Sequence, residues 1–177
     1  MINLEIKVLA PNLEEIKSKA LKMGAINKGS LQQADTYFMV GERRLKLREE
    51  KEKSCLIYYL RNNKKESKLS KYCIINVTPF LKQFIKKILS VFWGIKVIVN
   101  KKRDLFIYKN TRIHFDNVKN LGTYVELETV FNKNSKEKDL IEEHNFVINF
   151  LGLNHLKKVS RSYSDLLMYH SGSDTCT

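Results

Sequence analysis

The sequence predicts an α+β fold in which antiparallel strands lie against amphipathic helices. Two observations carry that expectation. Charged and apolar residues alternate with period two in five separate segments, which places them on opposite faces of extended strands. Three other stretches repeat apolar residues at three- and four-residue spacing and carry capping residues at their ends.

The alternation begins at the N-terminus, where Asn3, Glu5 and Lys7 interleave with Ile2, Leu4, Ile6 and Val8. Asn12 then caps a predicted helix to about Met23, with Leu13, Ile16, Ala20 and Met23 on one face and Gly24 stopping it. Beyond Gly41, Arg44, Lys46 and Arg48 alternate with Leu45 and Leu47. The stretch from Asn62 to Lys71 is polar, lysine-rich and without period, and reads as a solvated loop. Thr78 and Pro79 open a second helix, whose stripe of Leu81, Phe84, Ile85, Ile88 and Leu89 is expected to face a core.

Lys101 and Arg103 fall on the face opposite Lys102, and Arg112, His114 and Asp116 alternate with Ile113 and Phe115. Turn signals at Lys109–Thr111 and Asn120–Gly122 separate these segments from the next, where Glu126 and Glu128 alternate with Val125 and Leu127. Ser135 opens a third helix running to Gly152, with Leu140, Ile141, Phe146, Val147 and Phe150 or their near neighbours expected inside. Residues 1–170 are read as one domain and the polar residues 171–177 as a disordered tail.

Composition narrows the function. The chain has 177 residues and is 43% hydrophobic, enough for a single core, yet 32 Lys and Arg against 19 Asp and Glu leave it at +13. Such an excess repels itself unless an anion is bound, so the partner is expected to be a polyanion: nucleic acid, a membrane surface or a small polyphosphate. The apolar run from Val91 to Val99 is broken by Gly94 and Lys96 and is too short to span a bilayer. Glu5 and Lys7 interrupt the first ten residues, unlike a secretory signal. Cys55, Cys73 and Cys176 fit neither a zinc knuckle nor a disulfide framework and are read as reduced thiols, which predicts a cytoplasmic protein without a membrane partner. No glycine-rich phosphate loop precedes a helix, and no Ser-His-Asp or Cys-His arrangement stands out.

Two arrangements of the strands fit the alternation. One is an open antiparallel sheet with its charged face in water. The other is a closed barrel with the charged faces inward and the helices over the apolar outside. The polar faces are almost wholly Arg, Lys and Glu, unlike the Thr, Ser and Gln mixture of a solvated sheet. A closed lumen would gather Lys7, Lys46, Arg48, Lys101, Arg103 and Arg112 with Glu5, Asp116, Glu126 and Glu128. Like charges ~5 Å apart at an effective dielectric of about 20 repel by roughly 3 kcal/mol, so such a lumen would need counter-charges. A polyphosphate with a divalent metal would supply them. Glu126 and Glu128, at i and i+2 on one strand face, suit a hard cation bound through oxygen.

The segments Asn3-Leu4-Glu5-Ile6-Lys7, Asp35-Thr36-Tyr37-Phe38, Arg44-Leu45-Lys46-Leu47-Arg48, Lys101-Lys102-Arg103, Arg112-Ile113-His114-Phe115-Asp116, Tyr124-Val125-Glu126-Leu127-Glu128 and Ser162-Tyr163-Ser164-Asp165-Leu166-Leu167 follow one another along nearly the whole chain. In this order they resemble the CYTH family of triphosphate tunnel metalloenzymes, and its branch similar to class IV adenylyl cyclase of the CyaB type. The resemblance implies a closed antiparallel β-barrel, the triphosphate tunnel, with flanking helices. It implies an enzyme, dependent on Mg²⁺ or Mn²⁺, acting on a small-molecule triphosphate that is nucleoside, organic or inorganic. Position by position, it implies that Lys7, Lys46, Arg48, Lys101, Arg103 and Arg112 grip the phosphates and form the catalytic set with Asp116. It further implies that His114 and Arg161 add substrate contacts and that Glu5, Glu126 and Glu128 hold the metal. Asn3 stands where the family has a glutamate, and Arg61 lies near a position where relatives place a lumen lysine.

Hydrolysis of the triphosphate is the expected reaction, because no set of residues plainly reads adenine. The alternative is a cyclase that converts ATP to cyclic AMP and pyrophosphate. A reading of another class is a non-catalytic binder of polyphosphate, phosphoinositide or nucleic acid. Nucleic acid calls for an exposed basic patch with interleaved aromatics, and the alternation here does not favour one. Tyr37 and Phe38 are read as wall packing, and Lys64, Lys65, Lys68 and Lys71 as solvated charge.

Overall fold

The computed structural model describes residues 2–41, 43–59, 68–131 and 135–173. Eight antiparallel strands form the fold: β1 (Ile2–Leu9), β2 (Ile26–Phe38), β3 (Arg44–Glu49), β4 (Ser54–Tyr59), β5 (Lys68–Val77), β6 (Ile95–Tyr108), β7 (Thr111–Val118) and β8 (Gly122–Phe131). They pair in the order β1-β5-β4-β3-β2-β6-β7-β8, and β8 returns to β1 over the eight residue pairs from Ile2↔Phe131 to Leu9↔Tyr124. The sheet is a closed barrel and so has no free edge to aggregate. Among the described residues four α-helices flank it: α1 (Leu13–Lys22), α2 (Pro79–Trp93), α3 (Glu137–Phe150) and α4 (Tyr163–Ser173).

Alternation decides what faces in and what faces out. On β1, β7 and β8 the residues Ile6, Val8, Ile113, Phe115, Val125 and Leu127 point outward and are buried under Ile16 and Ala20 of α1 and Val147 and Ile148 of α3. Their charged neighbours in sequence therefore face the interior of the barrel. A second apolar cluster joins Tyr37, Val99, Val118 and Tyr124 to Tyr163, Leu166 and Leu167, so α4 seats on the barrel by packing against inward side chains. Arg44 of β3 pairs with Asp165 of α4 at 2.9 Å and fastens that helix in place.

The first helix matches its expectation, with the Asn12 side chain accepting a hydrogen bond from the Glu15 amide at the cap. The others differ in instructive ways. On α2 the expected core face is only partly covered, because the helix meets the barrel along Ile85 and Leu89, against Phe38, Leu47 and Val77. Phe80 is 92% and Phe84 62% exposed, and Leu81, Val91 and Phe92 also face solvent. On α3, which starts at Glu137, the buried residues are Leu140, His144, Val147 and Ile148. The inward stripe is thus rotated from the expected one, and Ile141, Phe146 and Phe150 are exposed.

Lys68 to Lys71, read from sequence as part of a loop, belong to β5. Partners on β1 supply the reason, with Ile2↔Lys71 and Glu5↔Lys68 in register. Arg61, Lys64 and Lys65 lie outside the described residues. Residues 171–173, assigned by sequence to the tail, continue α4, and 174–177 lie outside the described residues. Cys55 and Cys73 are free thiols. Among the described residues no helix is long and apolar enough to cross a membrane.

Candidate functional site

An eight-stranded barrel leaves room for its own side chains or for one small ligand. This one encloses a cavity of about 370 Å³. Each of Lys7, Lys46, Arg48, Lys101, Arg103 and Arg112 lines it, as do Glu5, His114, Glu126 and Glu128. The side chains that alternation pointed inward on five strands therefore converge on one space.

Two buried aspartates organise most of the cations. Asp35 of β2 accepts from Lys46 Nζ at 2.7 Å and from Arg48 Nε and Nη2, each at 2.7 Å. Asp116 of β7 accepts from Arg103 Nε and Nη2, each at 2.6 Å, with Lys101 Nζ at 3.6 Å and the Tyr163 hydroxyl donating at 2.9 Å. Burial alone would raise both carboxyls. Arg48 and Lys46 instead hold Asp35 well below the usual range, and Arg103 and Lys101 lower Asp116. Each aspartate sets the direction in which two cations present their remaining donors to the cavity.

Lys101 is the exception among the cations. Burial and the neighbouring Arg103 push its ammonium down to about 7, against the weaker pull of Asp116. It therefore exchanges its proton in the neutral range, where the guanidinium groups stay charged.

The carboxylates gather on the β1–β8–β7 wall. In the ladders Glu126 lies between Lys7 and His114, and Glu128 lies between Glu5 and Arg112. Glu126 accepts from Arg103 at 2.9 Å and has Lys7 at 3.7 Å. Against the cost of burial, Lys7 and Arg103 hold it well below the usual carboxylate range. Glu128 has Arg112 at 3.8 Å, yet burial and the neighbouring Glu126 raise it. One ligand atom from each of His114, Glu126 and Glu128 lies within 4.8 Å of the others. Glu5, though it faces the same lumen and stands opposite Glu128, is outside that cluster. The donor set fits a divalent cation: two carboxylates of which one is under-compensated, beside a buried imidazole nitrogen, His114 Nδ1, that has no hydrogen-bond partner. Burial and Arg103 hold that imidazole well below its ordinary value, so it is neutral.

Arg161 does not reach the cavity with its charge. Its guanidinium lies over the Tyr169 ring at 4.8 Å, and only its carbonyl faces Lys7 Nζ, at 3.5 Å. Two residues without an assigned role emerge instead. Asp35 shares strand parity with Tyr37, and its standing as the lone acid of β2 is the signal that could have marked it. Tyr163 reaches the lumen from α4, and no strand pattern could have marked it. The remaining wall is uncharged and mixed: Leu31, Ile57, Ile74 and Leu105 are apolar, and Asn3, Gln33, Tyr59 and Ser162 add polar groups.

Comparison with known proteins bears on the same residues. The family model of the CYTH domain matches residues 1–163. No curated protein matches the chain. Among solved structures, the PH1012 protein of Pyrococcus horikoshii superposes with a TM-score of 0.80 at 22% identity, covering 93% of this chain and 98% of that one. A putative adenylate cyclase from Vibrio parahaemolyticus gives 0.72 at 15% identity, covering 95% and 98%. The Hippeastrum protein HpAC1, described as a putative adenylyl cyclase with a dominant triphosphatase activity, gives 0.62 at 14% identity, covering 97% and 95%. At these identities the likeness establishes the fold.

Proposed function

The chain belongs to the CYTH domain family, and from that premise we propose that it is a divalent-metal-dependent enzyme that hydrolyses a triphosphate held in the barrel lumen. The observation that carries this reading is the meeting of Lys7, Lys46, Arg48, Lys101, Arg103 and Arg112 with Glu126 and Glu128 in one cavity inside the barrel. A solvated sheet would not bury so many charges, because each costs several kcal/mol to take from water unless it is compensated.

In this reading Arg48, Arg103 and Arg112 hold phosphate oxygens through forked donors, and Lys7, Lys46 and Lys101 act as point charges along the chain of phosphates. Asp35 and Asp116 are positioning residues that fix the cations from behind. Arg161 is not among the substrate contacts. Glu126 and Glu128 hold the metal ion, Mg²⁺ or Mn²⁺, with Glu5 adding negative charge beside them. A bound ion supplies charge neutralisation at the phosphoryl oxygens. Catalysis of this kind is chiefly positioning and electrostatics, which a preformed lattice of cations provides.

Hydrolysis is preferred to cyclisation because Leu31, Ile57, Ile74 and Leu105 give a base only apolar cover, and the uncharged polar groups of the wall, Asn3, Gln33, Tyr59 and Ser162, form no set that plainly reads adenine. The dominant triphosphatase activity ascribed to HpAC1 agrees with that preference. Incubation with ATP or with tripolyphosphate and Mg²⁺ or Mn²⁺, followed by product identification, tests it. Orthophosphate release supports the hydrolase; cyclic AMP with pyrophosphate makes the protein a cyclase; no turnover leaves only a binder.

A further inference from the structure

Among the described residues that line the lumen, one buried nitrogen, Nδ1 of His114, has no hydrogen-bond partner, and the amide oxygens of Asn3 and Gln33 have none either. His114 stands on β7, opposite Glu126 in the ladder, and is only 5% exposed. Its Nδ1 makes no hydrogen bond, although roughly nine in ten buried polar atoms do. The nitrogen instead approaches Glu128 Oε1 at 3.8 Å, and both belong to the cluster whose ligand atoms lie within 4.8 Å. Two donors bound at about 2.0–2.2 Å to one ion stand at most about 4.4 Å apart, so small rotations of the two glutamates close the set around a metal.

Other partners for this nitrogen are poorly placed. Leu105 is its ladder neighbour on the β6 side and offers nothing polar. On the β8 side the near groups are carboxylates, which accept from an Nδ1–H, yet Glu128 Oε1 at 3.8 Å stands beyond hydrogen-bond distance. In the Nε2–H tautomer the Nδ1 lone pair faces two carboxylates, an arrangement that a cation between them stabilises.

Resting on the reading that the lumen binds a divalent ion, we propose that its metal site is a mixed nitrogen–oxygen site, in which His114 Nδ1 coordinates beside Glu126 and Glu128. The chemical consequence is selectivity. Mg²⁺ prefers oxygen in a strict octahedron, whereas imidazole nitrogen adds affinity for first-row transition ions in the order Mn²⁺, Co²⁺, Zn²⁺. The site therefore discriminates for a transition ion and against Mg²⁺.

The test uses Mn²⁺ itself as probe, with the full-length protein, both alone and with tripolyphosphate. Pulsed electron paramagnetic resonance of bound Mn²⁺ reads a directly coordinated ¹⁴N. The coupling is expected in the wild type, replaced by a ¹⁵N signature when the protein is labelled with ¹⁵N-histidine, and absent in His114→Gln. The labelled wild type gives its answer even where the variant does not fold. By titration, His114→Gln is expected to weaken Mn²⁺ binding at least tenfold while changing Mg²⁺ binding less than threefold. Mn²⁺ bound without nitrogen coupling, or equal losses for both ions, overturns the nitrogen ligand and leaves the metal-dependent hydrolase standing. Absence of any saturable Mn²⁺ binding under either condition overturns both.

Discussion

Arg103 grips Asp116 with two parallel hydrogen bonds of 2.6 Å, one residue on β6 and the other directly opposite it on β7. The same guanidinium also reaches Glu126 on β8 at 2.9 Å. One side chain thus links the buried aspartate behind the lumen to the carboxylate facing into it. Removing the aspartate leaves Arg103 and Lys101 as buried cations without their shared counter-charge. Asp116→Asn is expected to lose about 3 kcal/mol of stability in urea unfolding. A loss below about 1 kcal/mol would show that the pair is screened by water and organises nothing.

Glu126→Ala and Glu128→Ala should each remove most metal-dependent turnover, on the order of a hundredfold, since each deletes a ligand and unbalances neighbouring cations. Glu5→Ala should cost distinctly less, because Glu5 lies outside the cluster of ligand atoms. Steady-state rates with and without a chelator check both statements. Wild-type rates in both β8 variants would refute the metal assignment.

Lys101 is expected to make binding of the proposed triphosphate depend on pH. Free, its ammonium sits at about 7 through burial and Arg103; bound phosphate would raise it. Binding above neutrality must then take up a proton, and affinity must fall as pH rises from 7 to 9. Calorimetry of tripolyphosphate binding at pH 8 in buffers of different ionisation enthalpy should show an uptake that Lys101→Met abolishes. Identical proton linkage in the two proteins would sink the idea.

His144 makes stability depend on pH in the acid range. Burial holds it at about 4, and its Nδ1 is within 2.8 Å of the Thr129 hydroxyl. Its folded value lies below the unfolded one, so the unfolded chain binds the extra proton, and stability falls as pH drops from about 6.5 toward 4. By linkage this group alone should cost about 2 kcal/mol between pH 7 and pH 5. His144→Gln should show a flatter dependence over that interval in denaturant titrations, whatever its absolute stability. An unchanged slope would mean that His144 does not titrate.

On α2 two apolar residues of one helix should behave oppositely. Leu89→Ala opens a cavity against Phe38, Leu47 and Val77 and should cost ~3 kcal/mol. Phe84→Ala removes a ring that is 62% exposed and should change stability by less than about 0.5 kcal/mol. Equal costs from urea unfolding would show that the outer stripe is buried in solution.

The five alternating segments were legible because both faces repeat every two residues: on β1, β3, β7 and β8 an apolar face under a helix opposes a charged one, and on β6 Lys101 and Arg103 face in while Lys102 faces solvent. β4 did not announce itself in the same way, since its lumen side carries Ile57 and Tyr59 where others carry charge. The start of β5 looked like loop for a different reason: Lys68, Ser70 and Lys71 are polar, and the segment becomes strand through pairing with β1. The cations and carboxylates of the lumen could be named in advance because their parity is written locally. The role of Asp35 and the separation of Glu5 from the metal-sized cluster could not, since both depend on distances across strands.

What the chain itself determined was which side chains share a face, because φ and ψ preferences and binary patterning act over a few residues. Only the closed barrel decided which faces meet. Closure brings β8 back beside β1 and sets Lys7 opposite Glu126 and Glu5 opposite Glu128, while the charge of Arg161 lies away over Tyr169. These outcomes rest on register and curvature across strands far apart in sequence, where a shift of one residue would turn every charge to the other side.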